Sequence, residues 1–147
     1  MGERFRGYAH RVDIAAGVQA VWRALTEQPN LVQWCSPHAR IRAQRGGLFR
    51  ASVDRVTELE AHIDVFEPAR RMRLIYLPSS ELPASDTAIV DDFILEGNEA
   101  QTIVRLLGSG FPDDEEWDAQ YRRLRTGWER AMARLKVFAE KLAREAS

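Results

Sequence analysis

The sequence predicts an α+β fold: a curved antiparallel sheet of about six to seven strands gripping a long C-terminal helix, with one or two short helices after the first strand. Three observations predict it. Tyr121, Leu124, Trp128, Met132, Leu135, Phe138 and Leu142 recur at three- and four-residue steps, which puts them on one face of a helix. The upstream chain alternates instead, most cleanly where Leu59, Ala61, Ile63 and Val65 interleave with Glu58, Glu60, His62 and Asp64. The connections between these runs are short and turn-rich, which implies an antiparallel meander. An apolar stripe this wide must be buried. The sheet's concave face is the surface available to it, and a cavity is expected where the two do not close.

Residues 5–14 read as the first strand, with Tyr8, His10, Val12 and Ile14 on one face. After the turn at Ala15-Ala16-Gly17, helical spacing of Val18, Val21, Trp22 and Leu25 predicts a short amphipathic helix over 18–26. Leu31 and Trp34 suggest a further helical turn before Pro37. Strands follow at 39–44, 48–53, 59–65 and around Met72, Leu74 and Tyr76. The Ser/Pro-rich segment 78–86 is long for a hairpin connection and is expected to form a mobile rim. Residues 87–96 and 101–107 read as a strand pair joined by Gly97-Asn98-Glu99, with Gly108-Ser109-Gly110 leading into the last helix.

That helix carries end signals. Asp113, Asp114, Glu115, Glu116 and Asp118 crowd its start, where the macrodipole favours negative charge. Asp113 and Glu116 have the spacing of a capping box, and Asp118 precedes Arg122 by four residues, a favourable acid-first pair. Gly127 implies a bend or a close approach of backbones. A helix over 113–146 would be roughly 50 Å long, so a break near 116–119 or a projecting end is expected.

The chain has 147 residues, which suits one domain over 1–147. Its net charge of −1 argues against a nucleic-acid partner. Cys35 is the one cysteine, so no internal disulfide is possible and a cytoplasmic location is expected. Charged residues throughout 1–14 argue against a signal peptide, and no apolar run is long enough to span a membrane.

Several stretches carry a resemblance. These are Val21-Trp22-Arg23-Ala24-Leu25-Thr26 followed by Leu31 and Trp34, Gly46-Gly47-Leu48-Phe49, Phe66-Glu67-Pro68 followed by Met72-Arg73-Leu74-Ile75-Tyr76, Gly108-Ser109-Gly110-Phe111-Pro112, and Gly127-Trp128-Glu129-Arg130 with Leu135. In this order and spacing they resemble the START-like, helix-grip superfamily, also called SRPBCC, and within it the family typed by the activator of the heat-shock protein 90 ATPase. The resemblance implies either a carrier of hydrophobic ligands or a chaperone co-factor. The superfamily also holds cyclase and aromatase enzymes, and the fold alone does not choose among them.

The candidate chemistry is sparse. Cys35-Ser36-Pro37-His38 brings a thiol near an imidazole, but a structural zinc site wants four ligands, and His10 and His62 stand apart. Gly46-Gly47 lacks the spacing of a phosphate loop, so no cofactor is expected. Arg70-Arg71 and Arg122-Arg123 read as solvated charges. Asp91 and Asp92 point to opposite faces of their strand and cannot share a site. Asp91 lies in register with Ile89, Phe93 and Leu95, and an acid facing a cavity there would have its pKa raised.

The expected partner is thus a small apolar or amphipathic molecule between sheet and helix. Trp34, Phe49, Tyr76, Phe93 and Trp128 would supply contact area and Asp91 would fix a polar end. A surface-acting co-factor ranks second. An enzyme ranks third, because only Asp91, His38 and His10 are on offer as converging polar groups. A homodimer through an exposed edge strand is also open.

Overall fold

Alternation along the first two-thirds of the chain is realised as seven antiparallel strands in a computed structural model that describes residues 4–79 and 81–146. In chain order the elements are β1 (Phe5–Ile14), α1 (Val18–Thr26), α2 (Gln28–Trp34), β2 (Arg40–Ile41), β3 (Leu48–Ala51), β4 (Leu59–Glu67), β5 (Arg71–Tyr76), β6 (Val90–Gly97), β7 (Thr102–Pro112) and α3 (Glu115–Glu145). The sheet order is β1-β7-β6-β5-β4-β3-β2. Strands β2 to β7 form a meander, and β1 returns to pair with β7, so β1 and β2 are the edges.

The two predicted periods are both present. Along β1 the predicted face, Tyr8, His10, Val12 and Ile14, points inward and is buried or half-buried. Leu59, Ala61 and Ile63 of β4 are fully buried. On α3, Trp117, Tyr121, Leu124, Trp128, Met132 and Leu135 are buried, while Phe138 and Leu142 are half-buried towards the end. Burying one such side chain stabilises the fold by roughly 2 kcal/mol, so this stripe outweighs the indifferent helix propensities within it.

The structure corrects three expectations. First, of the two alternatives for α3, the break near 116–119 does not occur; the helix runs 31 residues, about 46 Å. Its N-cap is Asp114, whose side chain accepts from Trp117 N at 3.0 Å; the cap lies one residue later than expected, and with Trp117 at the third helical position the expected box of Asp113 and Glu116 does not form. Second, Gly108-Ser109-Gly110 is strand and not a linker. β1 starts early enough to pair Phe5 with Pro112, which satisfies the backbone groups of this glycine-rich stretch. Third, Asp118 pairs with Arg6 of β1 at 2.7 Å and is not paired with Arg122. A tertiary partner thus displaces the local one.

Gly127 proves to be a point of close approach. A Cβ there would lie 3.0 Å from Val53 O and 3.1 Å from Asp54 N, so the turn after β3 seats directly on the helix backbone. The strand expected over 39–44 is reduced to Arg40–Ile41, and the one expected from 87 begins at Val90. Among the described residues, no helix is long and apolar enough to cross a membrane.

Candidate functional site around Asp91

Three strands deliver one polar cluster to the sheet face that α3 covers. Register aligns Tyr8 of β1 with Gly108 of β7, Gly108 with Asp91 of β6, and Asp91 with Leu74 of β5. The Tyr8 hydroxyl donates to Asp91 Oδ1 at 2.5 Å, and the Tyr76 hydroxyl donates to Asp91 Oδ2 at 2.6 Å. Tyr8 reaches past an intervening strand because Gly108 has no side chain. A Cβ at 108 would fall 2.4 Å from two atoms of the Tyr8 ring.

Asp91 is fully buried and has no cationic partner among the described residues. Burial raises its pKa from the usual 3.8 to about 6; bonds from Tyr76 and Tyr8 and the nearby Trp128 indole oppose the rise, while the Asp92 charge adds to it. The same burial, with the Asp91 charge beside them, pushes both phenols above their ordinary range. The Trp128 N–H lowers the pKa of Asp91 and Tyr76 from close by, yet it is buried and makes no hydrogen bond of good geometry. The cluster is therefore a buried carboxylate held by two phenols, with one indole donor unused.

Aromatic rings close around it. Phe111 lies 5.4 Å from Tyr8, 6.1 Å from Tyr76, 6.2 Å from Trp117 and 5.5 Å from Tyr121. Phe93 meets Trp128 edge-on at 5.4 Å. Tyr76 also borders a pocket of about 340 Å³ beneath the 77–89 segment, together with Leu82, Pro83, Ile89 and Trp117. Its described residues are tied down at several points: Trp117 Nε1 donates to Ala84 O at 3.3 Å, Thr87 Oγ1 donates to Gly110 O at 3.2 Å, Leu77 N donates to Glu60 O at 2.8 Å and Glu58 N donates to Glu81 Oε2 at 2.5 Å.

The six residues expected to contact a ligand are placed as follows. Tyr76, Asp91, Phe93 and Trp128 come together, with the Tyr76 ring on the pocket wall. Phe49 is buried on β3, aligned with Ala61 of β4, which in turn aligns with Tyr76. Trp34 stands apart on α2, with its indole bonded to Ala24 O at 2.8 Å, and borders a different groove. Tyr8, Phe111, Trp117 and Tyr121 were missed. The readable signal was the inward face shared by Tyr8, His10, Val12 and Ile14; nothing local indicated its partner.

The other candidates disperse. Cys35 is buried, which pushes its thiol up to about 12 against the opposing charge of Arg134, so it is no ready thiolate. His38 is exposed. His10 stacks on Tyr8 at 5.1 Å and donates to Arg125 O at 2.9 Å. Asp92 faces outward, where Arg71 at 2.7 Å and Arg73 at 3.1 Å bind it; Arg71 is thus an ion-pair partner and not simply a solvated charge. Among the described residues no group of three or more His, Cys, Asp or Glu side chains could hold a metal.

No curated protein sequence matches the chain. Among solved structures, protein MLL2253 from Mesorhizobium loti is similar, with 22% identity, a TM-score of 0.77, and coverage of 92% of this chain and 98% of that one. The Aha1 dimer from Colwellia psychrerythraea is similar at 21% identity and a TM-score of 0.75, covering 92% and 96%. DynU16, of the dynemicin biosynthetic locus, is similar at 22% identity and a TM-score of 0.69, covering 91% of this chain and 47% of that one. At such identities these structures establish the shared fold. The family described as "Activator of Hsp90 ATPase homolog 1-like protein" matches residues 15–140, and the chain belongs to that family.

Proposed function

We propose that this protein is a single-domain cytoplasmic binder of a small amphipathic molecule, which enters beneath the 77–89 segment and sets a polar end against Tyr76 and Asp91. The observation that carries this reading is the buried Asp91 carboxylate, held by Tyr8 and Tyr76 directly behind a pocket that Tyr76 itself borders. A buried acid without a cation is costly, and perturbed acids beside a pocket cluster at functional sites. The free indole N–H of Trp128 is a second polar contact within the same cluster.

A surface-acting co-factor is the second reading. It is favoured by the tight filling of the interior, where Phe49 and Phe93 are 1% exposed and Trp128 is fully buried. A homodimer through the β1 edge fits either reading, and the similar Colwellia protein is described as a dimer.

Native mass spectrometry followed by denaturing extraction tests the first reading. A co-purifying apolar compound, lost or released faster in Trp128→Ala, is the expected result. An empty protein that also gains no thermal stability from a panel of aromatic and acyl compounds would sink it in favour of the surface-acting reading.

A further inference from the structure

The turn after β3 separates two open grooves. One, of about 620 Å³, lies between that turn and α3 and is lined by Arg55, Arg122, Arg123, Arg130 and Arg134, with Gly127 where the turn seats on the helix. The other, also about 620 Å³, lies towards α2 and offers apolar surface from Val32, Pro37 and Val56, with the buried Trp34 and Ala51 behind them and Glu58 and Glu81 also on its walls. Arg55, Val56 and Arg134 border both. The two grooves therefore adjoin across Arg55 and Val56 as the two halves of a divided trough, one basic and the other largely apolar.

The basic end has a large excess of cations, five arginines against the one carboxylate of Asp54. Among the described residues none of its five guanidinium groups pairs with a carboxylate. Arg134 donates to Trp34 O at 2.7 Å and Cys35 O at 3.2 Å, which fixes its side chain and leaves its charge unmatched. Of the acids on the walls, Glu58 pairs with Arg50 at 2.8 Å, Glu81 accepts from Glu58 N at 2.5 Å, and Asp54 Oδ1 accepts from Val56 N at 2.9 Å and Thr57 N at 2.6 Å, while Asp54 Oδ2 is buried without a hydrogen bond; their charges leave the arginines in excess. His38 lines the apolar half and is exposed.

Arg55 is also held at φ 65°, a left-handed conformation that favours glycine, and it is exposed over the junction of the two grooves. Clustered cations raise the local concentration of anions. Guanidinium forks match the oxygens of phosphate, and a phosphate monoester carries close to two negative charges near neutral pH. Five arginines suit such a dianion better than a single carboxylate.

We propose that this trough is a second binding site that takes an amphipathic phosphomonoester, with the phosphate held by Arg55, Arg130 and Arg134 and the apolar part laid along Val32, Pro37 and Val56. It is distinct from the Tyr76 pocket and has the opposite charge preference, since Asp91 lies behind that one.

Titration calorimetry of the full chain with octyl phosphate at low salt tests it, with octanol and inorganic phosphate as comparators. Saturable binding is expected, at least tenfold tighter than either comparator and weakened by added salt. Arg55→Gly removes the charge while placing glycine at a positive φ. It should weaken binding at least fivefold while leaving the thermal midpoint unchanged or raised. Arg130→Gln, on the exposed face of α3, should weaken it similarly. Flotation with phosphatidylcholine vesicles containing phosphatidic acid separates the sources. Capture that Arg55→Gly abolishes identifies a lipid headgroup, whereas octyl phosphate binding without capture identifies a soluble phosphate ester. Equal affinity for octanol and octyl phosphate, or an affinity unmoved by both arginine variants, overturns the proposal. Loss of octyl phosphate binding in Asp91→Asn instead would place the compound in the Tyr76 pocket and overturn it as well.

Discussion

Asp91 and Asp92 are neighbours on β6, yet the strand sends one into the core and the other onto the outer face. Inside, Asp91 meets two phenols and no cation, and burial raises its pKa to about 6. Outside, burial also pulls Asp92 upward, but the bonds and charges of Arg71 and Arg73 outweigh it and hold the acid below its usual range. The same functional group thus acquires opposite proton affinities from one step along a strand. The difference locates the candidate site: Asp92 is matched by two cations, whereas Asp91 is kept at a cost that its two phenol bonds only partly offset.

The comparison breaks most visibly in pH dependence. Asp91 binds its proton more tightly in the folded chain, so its contribution to stability is fully present below about pH 4 and is lost as pH rises through about 6. At about 1.4 kcal/mol per pH unit, that loss is about 3 kcal/mol. Asp92 acts in the other direction. Its contribution is present above the ordinary carboxylate range and is lost as pH falls through its lowered pKa. Urea unfolding of wild type and Asp91→Asn from pH 4 to 7 should show the variant gaining about 3 kcal/mol on wild type across the interval; a constant difference would mean that Asp91 is not desolvated.

A smaller effect sharpens the geometry. Gly108→Ala places a methyl group where the Tyr8 ring lies. The ring must leave, so stability should fall by about 2 kcal/mol and the pH at which Asp91 titrates should move, because one phenol bond is gone. Tyr8→Phe should reproduce that shift in titration without the steric cost. If the two variants titrate alike with wild type, the Tyr8 bond does not reach Asp91 in solution.

The smallest effect belongs to the outer acid. Arg73 is about a third exposed, and its charge is screened by water. Arg73→Gln should cost below about 1 kcal/mol in thermal or chemical unfolding, with Arg71 still bound to Asp92. A loss as large as that of Gly108→Ala would show that the outer pair carries the sheet and would erase the contrast.

Much of this was legible. The inward register of Asp91 with Ile89, Phe93 and Leu95 follows from a two-residue period, and all four are buried. The stripe on α3 follows from a period near 3.6. The alternation in β1 showed that Tyr8 faces inward. The partner of Tyr8 was not legible, because Asp91 is 83 residues away and their meeting depends on the register of β1, β7 and β6. Gly108 read as a turn residue for the same reason: the need for a missing side chain there comes from the Tyr8 ring on the neighbouring strand, far away in sequence. Trp34 carries no signal of depth, and the tertiary fold placed it beside a different groove from that of Tyr76.

Arg55 makes the point at the surface. With a net charge of −1 the sequence offers no hint of a basic trough, since the arginines that form it are 67 or more positions from Arg55. Period, charge sign and turn chemistry are short-range properties, and they fixed which residues face inward and that a long helix must lie on a sheet. Convergence of Tyr8, Tyr76 and Asp91, the filling of the interior by Trp128 and Phe93, and the gathering of Arg55 with Arg130 and Arg134 were decided by strand register and helix placement. Those depend on the simultaneous packing of the whole chain, because only the assembled core selects one register among several that satisfy the same local alternation.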